Sequence, residues 1–388
     1  MTPANKTVLV VTPLFPSDKR PYYCIYLLQL FDALKACGYT VHVLMPDSGL
    51  PDGEIKKDQH RSFPLIHIGH CNGLANEILG KMSRGFVRSV KKVMEALKPD
   101  IIDLNLCSAA CSGTFIALAR QVGAKSVVHY HGLNVFYNHH SAHPWLEKIL
   151  AYARVRNCDR ADAIVGVSDK VAENVRTRSD NASVYTVYNG VDTSLFYPSE
   201  AKANAVFTIV CVANLIRIKG HEFLLRAAAE VIGAQGHRLC IRIIGAGPEA
   251  ERLQKLVAEL GIEEAVVFLG EKHYDVVSQE IRQADFFIMP SYFESLGCVY
   301  LEAMASGVAA MGVKGCGIDE IIEDKENGYL VDPCNVEQIK ERILFAINNP
   351  EKHGEIARAG YDTAVNKYRW AHAGEALDRV YQDLLHRS

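Results

Sequence analysis

Two glutamates, Glu294 and Glu302, stand eight residues apart in the stretch YFESLGCVYLEAMASG, residues 292–307. Paired carboxylates can transfer protons or stabilise a positive charge that develops during a reaction. Which role each can play depends on the element that carries it. The apolar run Phe286-Phe287-Ile288-Met289 ends at Pro290 and predicts a buried strand, while Cys298 to Ala305 has helical composition. This places Glu294 on the loop at a strand's C-terminal end and Glu302 in about the first turn of the next helix. Gly297 lets backbone approach a ligand closely, and a helix N-terminus there suits a phosphate. The helix dipole also favours a carboxylate in a first turn, so Glu302 has a purely structural explanation. Glu294 has none.

A second group lies in IVCVANLIRIKGHEFLLRAA, residues 209–228, where a strand delivers Asn214, Arg217 and Lys219 into a loop before a helix. Basic side chains at such a junction fit a diphosphate, with point charge from Lys and a planar fork from Arg. A solvated basic loop reads equally from the same residues. Next comes Gly245-x-Gly247-x-x-Ala250 between a strand and a helix, with Glu271 ending the following strand. The spacing resembles a dinucleotide fingerprint, but Pro248 removes an N–H near the helix start and the motif alone is weak. In SVVHYHGLNVF, residues 126–136, His129 and His131 are two apart and share one face of a strand. His131 is read as a polar residue at the strand's ligand end. No acidic partner completes a metal set with His129, His139, His140 and His143.

The elements that must position these groups alternate between strand-length apolar runs and helical periodicity. That is the pattern of βαβ units and a parallel sheet. Strands are expected at 8–15, 40–45, 100–105, 126–132, 163–168 and 183–190. The pattern restarts after a linker-like stretch at 194–205, with strands at 207–214, 239–245, 265–270, 285–291 and 308–314. The expected fold class is α/β, with two Rossmann-like doubly wound domains facing a cleft. Their expected bounds are 1–195 and 205–365, with a last amphipathic helix at 366–388.

Eleven cysteines without a CxxC pair argue for reduced thiols and a cytoplasmic protein. The first 190 residues carry 22 Lys+Arg against 16 Asp+Glu, and the rest 20 against 29, so an anionic partner suits the first half only. The basic amphipathic helix at 81–97 adds an expectation of weak contact with anionic lipid at the inner face of a membrane. No basic stripe interleaved with aromatics points to nucleic acid.

Taken together, these pieces resemble glycosyltransferase family 4, retaining nucleotide-sugar transferases of the two-Rossmann GT-B fold. The most specific marks are YNGVDTSLFYP (188–198), the NLIRIKG loop, ADFFIMPSYFESLGCVYLEAMASG (284–307) and ENGYLVDP (326–333). The resemblance implies that Glu302 holds the donor ribose and that Glu294 lies against the donor sugar. By the same likeness Lys219 neutralises the diphosphate, and the amides of Ser295, Leu296, Gly297, Cys298 and Val299 cradle the phosphates. His131 would lie beside the sugar, and the base would lie near Glu271 and Lys272. The last helix would brace the N-terminal domain. Three departures stand out. Asn214 occupies a position where many relatives have arginine, with Arg217 as the candidate replacement. Cys24 stands where relatives place glycine next to the donor. Cys316-Gly317-Ile318-Asp319-Glu320 replaces the common Gly-Gly-x-Pro-Glu.

The expected reaction is sugar transfer from a UDP- or GDP-linked donor to a glycan, lipid-linked or small-molecule acceptor, with α-linkage. It would use no cofactor and no obligatory metal, since no DxD-type pair sits on a suitable loop. A GT-B epimerase or hydrolase would share the donor site. An NAD-dependent oxidoreductase would use GAGPEA but leave Glu294, Lys219 and His131 without roles.

Overall fold

In the computed structural model, residues 6–13, 15–16, 24–70, 82–105, 112–132, 156–199, 206–235 and 238–387 are described. The chain divides into two compact units, Met1–Asn189 with Trp370–Ser388, and Gly190–Arg369.

The first unit contains eight strands: β1 (Thr7–Val11), β2 (Thr40–Asp47), β3 (Ile55–His60), β4 (Phe63–Gly69), β5 (Ile101–Leu104), β6 (Lys125–Tyr130), β7 (Ala163–Gly166) and β8 (Val184–Thr186). They form one sheet in the order β3-β4-β2-β1-β5-β6-β7-β8, parallel except for β3. Val8 to Val11 are fully buried, as expected of a strand covered on both faces by helices. The β3–β4 hairpin lies outside the strands expected from sequence. IKKDQH has no apolar alternation because β3 is a solvent-exposed edge, where charged side chains also discourage pairing with other chains.

Among the described residues, four helices precede the second unit: α1 (Ile25–Ala36), α2 (Arg84–Leu97), α3 (Ser112–Val122) and α4 (Asp169–Arg176). Helix α1 starts after Cys24, whose φ of 55° is left-handed. Glycine adopts that backbone without strain, in keeping with the glycine that the family resemblance leads one to expect there. Helix α2 is capped by Ser83 Oγ, which accepts from the Phe86 N–H. Its apolar face, including Phe86, Val90, Val93 and Met94, is buried, with Phe86 edge-on to Phe115 of α3 at 6.3 Å. That face is taken up by packing within the protein, while Arg84, Arg88, Lys92, Glu95 and Ala96 are exposed.

The second unit contains β9 (Phe207–Val212), β10 (Leu239–Ile244), β11 (Val266–Gly270), β12 (Phe286–Ile288), β13 (Ala309–Val313) and β14 (Tyr329–Val331). All are parallel, in the order β11-β10-β9-β12-β13-β14. Strand β14 has only three residues, too few for periodicity to reveal. Its helices are α5 (His221–Gln235), α6 (Ala250–Leu260), α7 (Tyr274–Gln283), α8 (Cys298–Ala305), α9 (Val336–Asn348) and α10 (Pro350–Lys367). The stretch read as a linker begins inside this unit. Phe196 is fully buried and meets Tyr274 edge-on at 5.1 Å.

Helix α11 (Trp370–His386) returns to the first unit and completes its core with Trp370, Leu377, Tyr381 and Leu384. A Cβ at Gly374 would come 2.7 Å from the Ala33 Cβ, so glycine there permits the close crossing with α1. At the other end of the link, the Val191 N–H donates to the Tyr368 carbonyl, pairing the two stretches of chain that lead between the units.

Strand order reverses between β1 and β5 in the first sheet and between β9 and β12 in the second. At such points the helices leave in opposite directions, opening a crevice beyond the strand ends where ligands bind.

Candidate functional site

In the second unit, the loops after β9 and β12 meet at this crevice. The Tyr292 N–H donates to the Ile218 carbonyl at 3.1 Å, and Ser291 Oγ reaches the same oxygen at 3.1 Å. Gly220, with φ 71°, closes the Arg217–Lys219 turn, and any Cβ there would stand 2.1 Å from the Pro290 carbonyl oxygen. The result is a direct ion pair: Lys219 Nζ donates to Glu294 Oε2 at 2.5 Å, both side chains less than a fifth exposed. The other carboxylate oxygen, Oε1, accepts from the Ser295 N–H at 3.2 Å. His221, beside this pair, is held neutral: burial, and then the Lys219 charge, lower its pKa to about 4.

The turn that carries Glu294 is braced from behind. Gly317 N–H donates to the Glu294 carbonyl at 3.1 Å, and the Cys316 thiol donates to the Ser291 carbonyl at 3.2 Å. A Cβ on Gly317 would sit 1.8 Å from the Ser295 carbonyl oxygen. The departures in this segment thus keep its bracing role. Gly297 has φ 79° and caps α8 without a side-chain acceptor, while the Leu296 side chain is buried as the turn's anchor. Ser295, Gly297, Cys298 and Val299 stay partly accessible.

Glu302 lies in the second turn of α8, not the first, because the helix begins at Cys298. The dipole explanation therefore fails, and its burial needs another reason. Tyr274 donates its hydroxyl to Glu302 Oε1 at 2.7 Å. Burial pushes the carboxyl up to about 7, opposed by the Tyr274 bond and aided by nearby Asp192. Tyr274 was not foreseen, although it follows Glu271 and Lys272 by only three and two positions. Both of those are exposed at the end of β11.

Asn214 and Arg217 are exposed. Arg217 shares a pocket with His221, Glu222, Glu249, Arg252 and Tyr292, and Lys219 is not among the residues that line it. The Gly245 and Gly247 turn serves the same loop. Cβ atoms there would come 2.0 Å from the Ala213 oxygen and 2.4 Å from the Leu215 oxygen. Leu215 N–H donates to the Ala246 carbonyl at 2.9 Å, and Glu249 N–H donates back to the Leu215 carbonyl at 3.0 Å. Those glycines are thus explained by backbone contact with the Asn214 loop, not by a pyrophosphate.

In the first unit, His131 follows β6. Its Nε2 lies 2.5 Å from Asn105 Oδ1, and its ring stacks on His129 at 4.4 Å and tilts against Tyr26 at 4.9 Å. Burial, with His129 second, holds its pKa well below the usual imidazole range. Asn105 and Asp103 were not foreseen as site residues; the available signal was a polar pair, two apart, in the otherwise apolar DIIDLN. His139, His140 and His143 lie outside the described residues. Among the described residues no three His, Cys, Asp or Glu side chains gather as a metal site requires. No described helix is long and apolar enough to cross a membrane.

Comparison with known proteins bears on this geometry. The model described as Glycosyltransferase Family 4 matches residues 25–195, and that described as Glycosyl transferases group 1 matches residues 196–363. A GDP-mannose-dependent alpha-(1-6)-phosphatidylinositol monomannoside mannosyltransferase of Mycolicibacterium smegmatis is 28% identical over 67% of this chain and 71% of its own. A D-inositol 3-phosphate glycosyltransferase of Acidothermus cellulolyticus is 26% identical over 75% of each. An N-acetyl-alpha-D-glucosaminyl L-malate synthase of Bacillus anthracis is 24% identical, and the chain spans 61% of its length. Among solved structures, a sucrose-phosphate synthase of Thermosynechococcus elongatus aligns with TM-score 0.79 at 20% identity, over 99% of this chain and all of that one. Anabaena HepE in complex with UDP aligns with TM-score 0.74 at 17% identity, over 97% and 100%. The chain has the GT-B fold and belongs to glycosyltransferase family 4.

Proposed function

We propose that the protein transfers a sugar from a UDP- or GDP-linked donor to an acceptor hydroxyl, with retention of anomeric configuration and without an obligatory metal. The observation that carries this reading is the Lys219–Glu294 pair at the reversal point of the second sheet. Glycosyl transfer builds negative charge on the departing diphosphate and positive charge on the sugar. A site for it needs one fixed charge of each sign, side by side. Lys219 would take the diphosphate, with Arg217 and the amides from Ser295 to Val299 in support. Glu294, released from its lysine, would orient the sugar and stabilise its developing positive charge. Glu302 would grip the ribose, and Glu271 and Lys272 would lie by the base. In the first unit, His131 would meet a hydroxyl of that unit's own ligand.

Two relatives whose names carry an inositol phosphate or a phosphatidylinositol glycan, together with the net-basic first half, favour a phosphate-bearing or lipid-linked acceptor. Contact with an anionic membrane would then use the basic side chains of α2 alone, as in glycan assembly at the inner face of a membrane.

Incubation with a panel of UDP- and GDP-sugars, with product analysis and thermal denaturation, tests the reading. The matching nucleoside diphosphate should stabilise the fold by about 2.7 kcal/mol at a hundredfold excess over its Kd. Stabilisation by NADH but by neither nucleotide would refute it. Donor epimerised or hydrolysed at full rate with no acceptor present would point to the epimerase or hydrolase.

A further inference from the structure

We propose that Asp103 and Asn105 are positioning residues that fix His131 as its Nε2–H tautomer, leaving Nδ1 as a bare acceptor for a hydroxyl of the acceptor substrate. The proposal rests on the reading of His131 as a site residue given above, and it adds which ring nitrogen does the work.

The assignment follows from what each group can donate. A carboxylate only accepts hydrogen bonds. Asp103, fully buried, takes the Tyr381 hydroxyl on Oδ2 at 2.5 Å and faces Asn105 Nδ2 with Oδ1 at 3.0 Å. The Asn105 amide must therefore turn its NH2 toward Asp103, which removes the usual ambiguity of an amide flip. Its carbonyl oxygen is then what lies 2.5 Å from His131 Nε2. A carbonyl cannot donate, so Nε2 must carry the hydrogen.

A neutral imidazole has one hydrogen, and His131 is neutral for the reasons given above. Its Nδ1 is thus a lone pair, shielded from solvent and without a hydrogen-bond partner among the described residues. The ring cannot easily swing to find one, being held between His129 and Tyr26. His129 does not compete for Asp103, since its Nδ1 stays 3.9 Å from Oδ2. An orphaned acceptor beyond the end of a parallel strand, next to the strand-order reversal, is where a ligand hydroxyl would repay its burial. Tyr381 extends the chain of bonds to α11, so the last helix takes part in setting the tautomer.

Long-range 1H–15N spectra of protein labelled with 15N-histidine read this directly, with the His131 signal assigned by its loss in His131→Gln. The expected spectrum shows a protonated Nε2 and a bare Nδ1. A wild-type spectrum with hydrogen on Nδ1, or with both nitrogens protonated, overturns the proposal and depends on no variant folding. In Asn105→Leu the ring should populate both tautomers, and turnover should fall tenfold or more while nucleoside diphosphate affinity stays within twofold. Retained turnover with a mixed tautomer would equally overturn it. The tautomer is read without substrate, so its failure is separable from failure of the glycosyltransferase reading, which shows instead as no nucleotide binding by wild-type protein.

Discussion

Lys219 and Glu294 come from loops 75 residues apart, yet the ammonium and carboxylate meet at 2.5 Å with little exposure of either. Each charge is thus held in place by the other.

Removing one partner leaves the other poorly solvated. Lys219→Ala should weaken nucleoside diphosphate binding by roughly ten- to a hundredfold, the range of a lost charge-assisted hydrogen bond. Titration calorimetry would measure it, and equal affinity in mutant and parent would refute the role.

Glu294→Gln should leave that affinity nearly unchanged and lower turnover by about 10²–10³-fold, as loss of a charge felt mainly in the transition state does. Steady-state kinetics with the identified donor is the check. Near-normal turnover would sink this role for Glu294.

Glu302 ties stability to pH. Its folded pKa is raised from the ordinary carboxylate range to about 7, so between those limits the folded state binds more protons than the unfolded chain. Stability should be greatest with Glu302 protonated and should decline as pH rises from about 4.5 through about 7, by up to about 3 kcal/mol. Urea denaturation at several pH values should show that slope in the parent and lose its Glu302 component in Glu302→Gln. If ribose hydroxyls bind the ionised form, nucleotide binding below pH 7 should also release a proton, visible as a buffer-dependent heat.

Gly317→Ala should act at a distance. The new methyl must displace the Ser295 carbonyl, so the turn proposed to cradle the phosphates shifts. Roughly tenfold weaker nucleotide binding, about 1.4 kcal/mol, and a lower melting temperature are expected. Unchanged affinity would show that the turn does not touch the donor.

Leu377→Ala should destabilise the first unit by about 3 kcal/mol, since its side chain is fully buried between α11 and the sheet. If the second unit alone binds the nucleotide, as proposed, nucleotide affinity should survive at temperatures where the first unit has loosened. Denaturation followed by urea, beside nucleotide titration, separates the two.

Much of this architecture is legible in the sequence for a physical reason. Parallel strands buried on both faces, such as Val8 to Val11 or Phe286 to Ile288, must be apolar throughout, and apolar runs are easy to see. The β3 edge escapes notice because solvent imposes no pattern on IKKDQH. At the site, the loop carrying Glu294 can be placed from Pro290 and Gly297. The pairing with Lys219 cannot, because it depends on Gly220 touching Pro290 across two loops. Glu302's burial was hidden because it was counted into the first turn of α8, whose start at Cys298 puts it in the second. Asp103 and Asn105 passed as strand ends because their importance lies in which atoms they offer to Tyr381 and His131.

Helix α11 has a further consequence, for the order of synthesis. A chain made from its N-terminus has all eight strands of the first sheet long before Trp370 to Leu384 emerge. Until then one wall of that core is missing, while the second unit already has every residue it needs. Units normally mature in the order in which they leave the ribosome. In this protein the second unit to be made is the first that can finish folding, and the nascent first unit must be kept from aggregating until the last helix arrives.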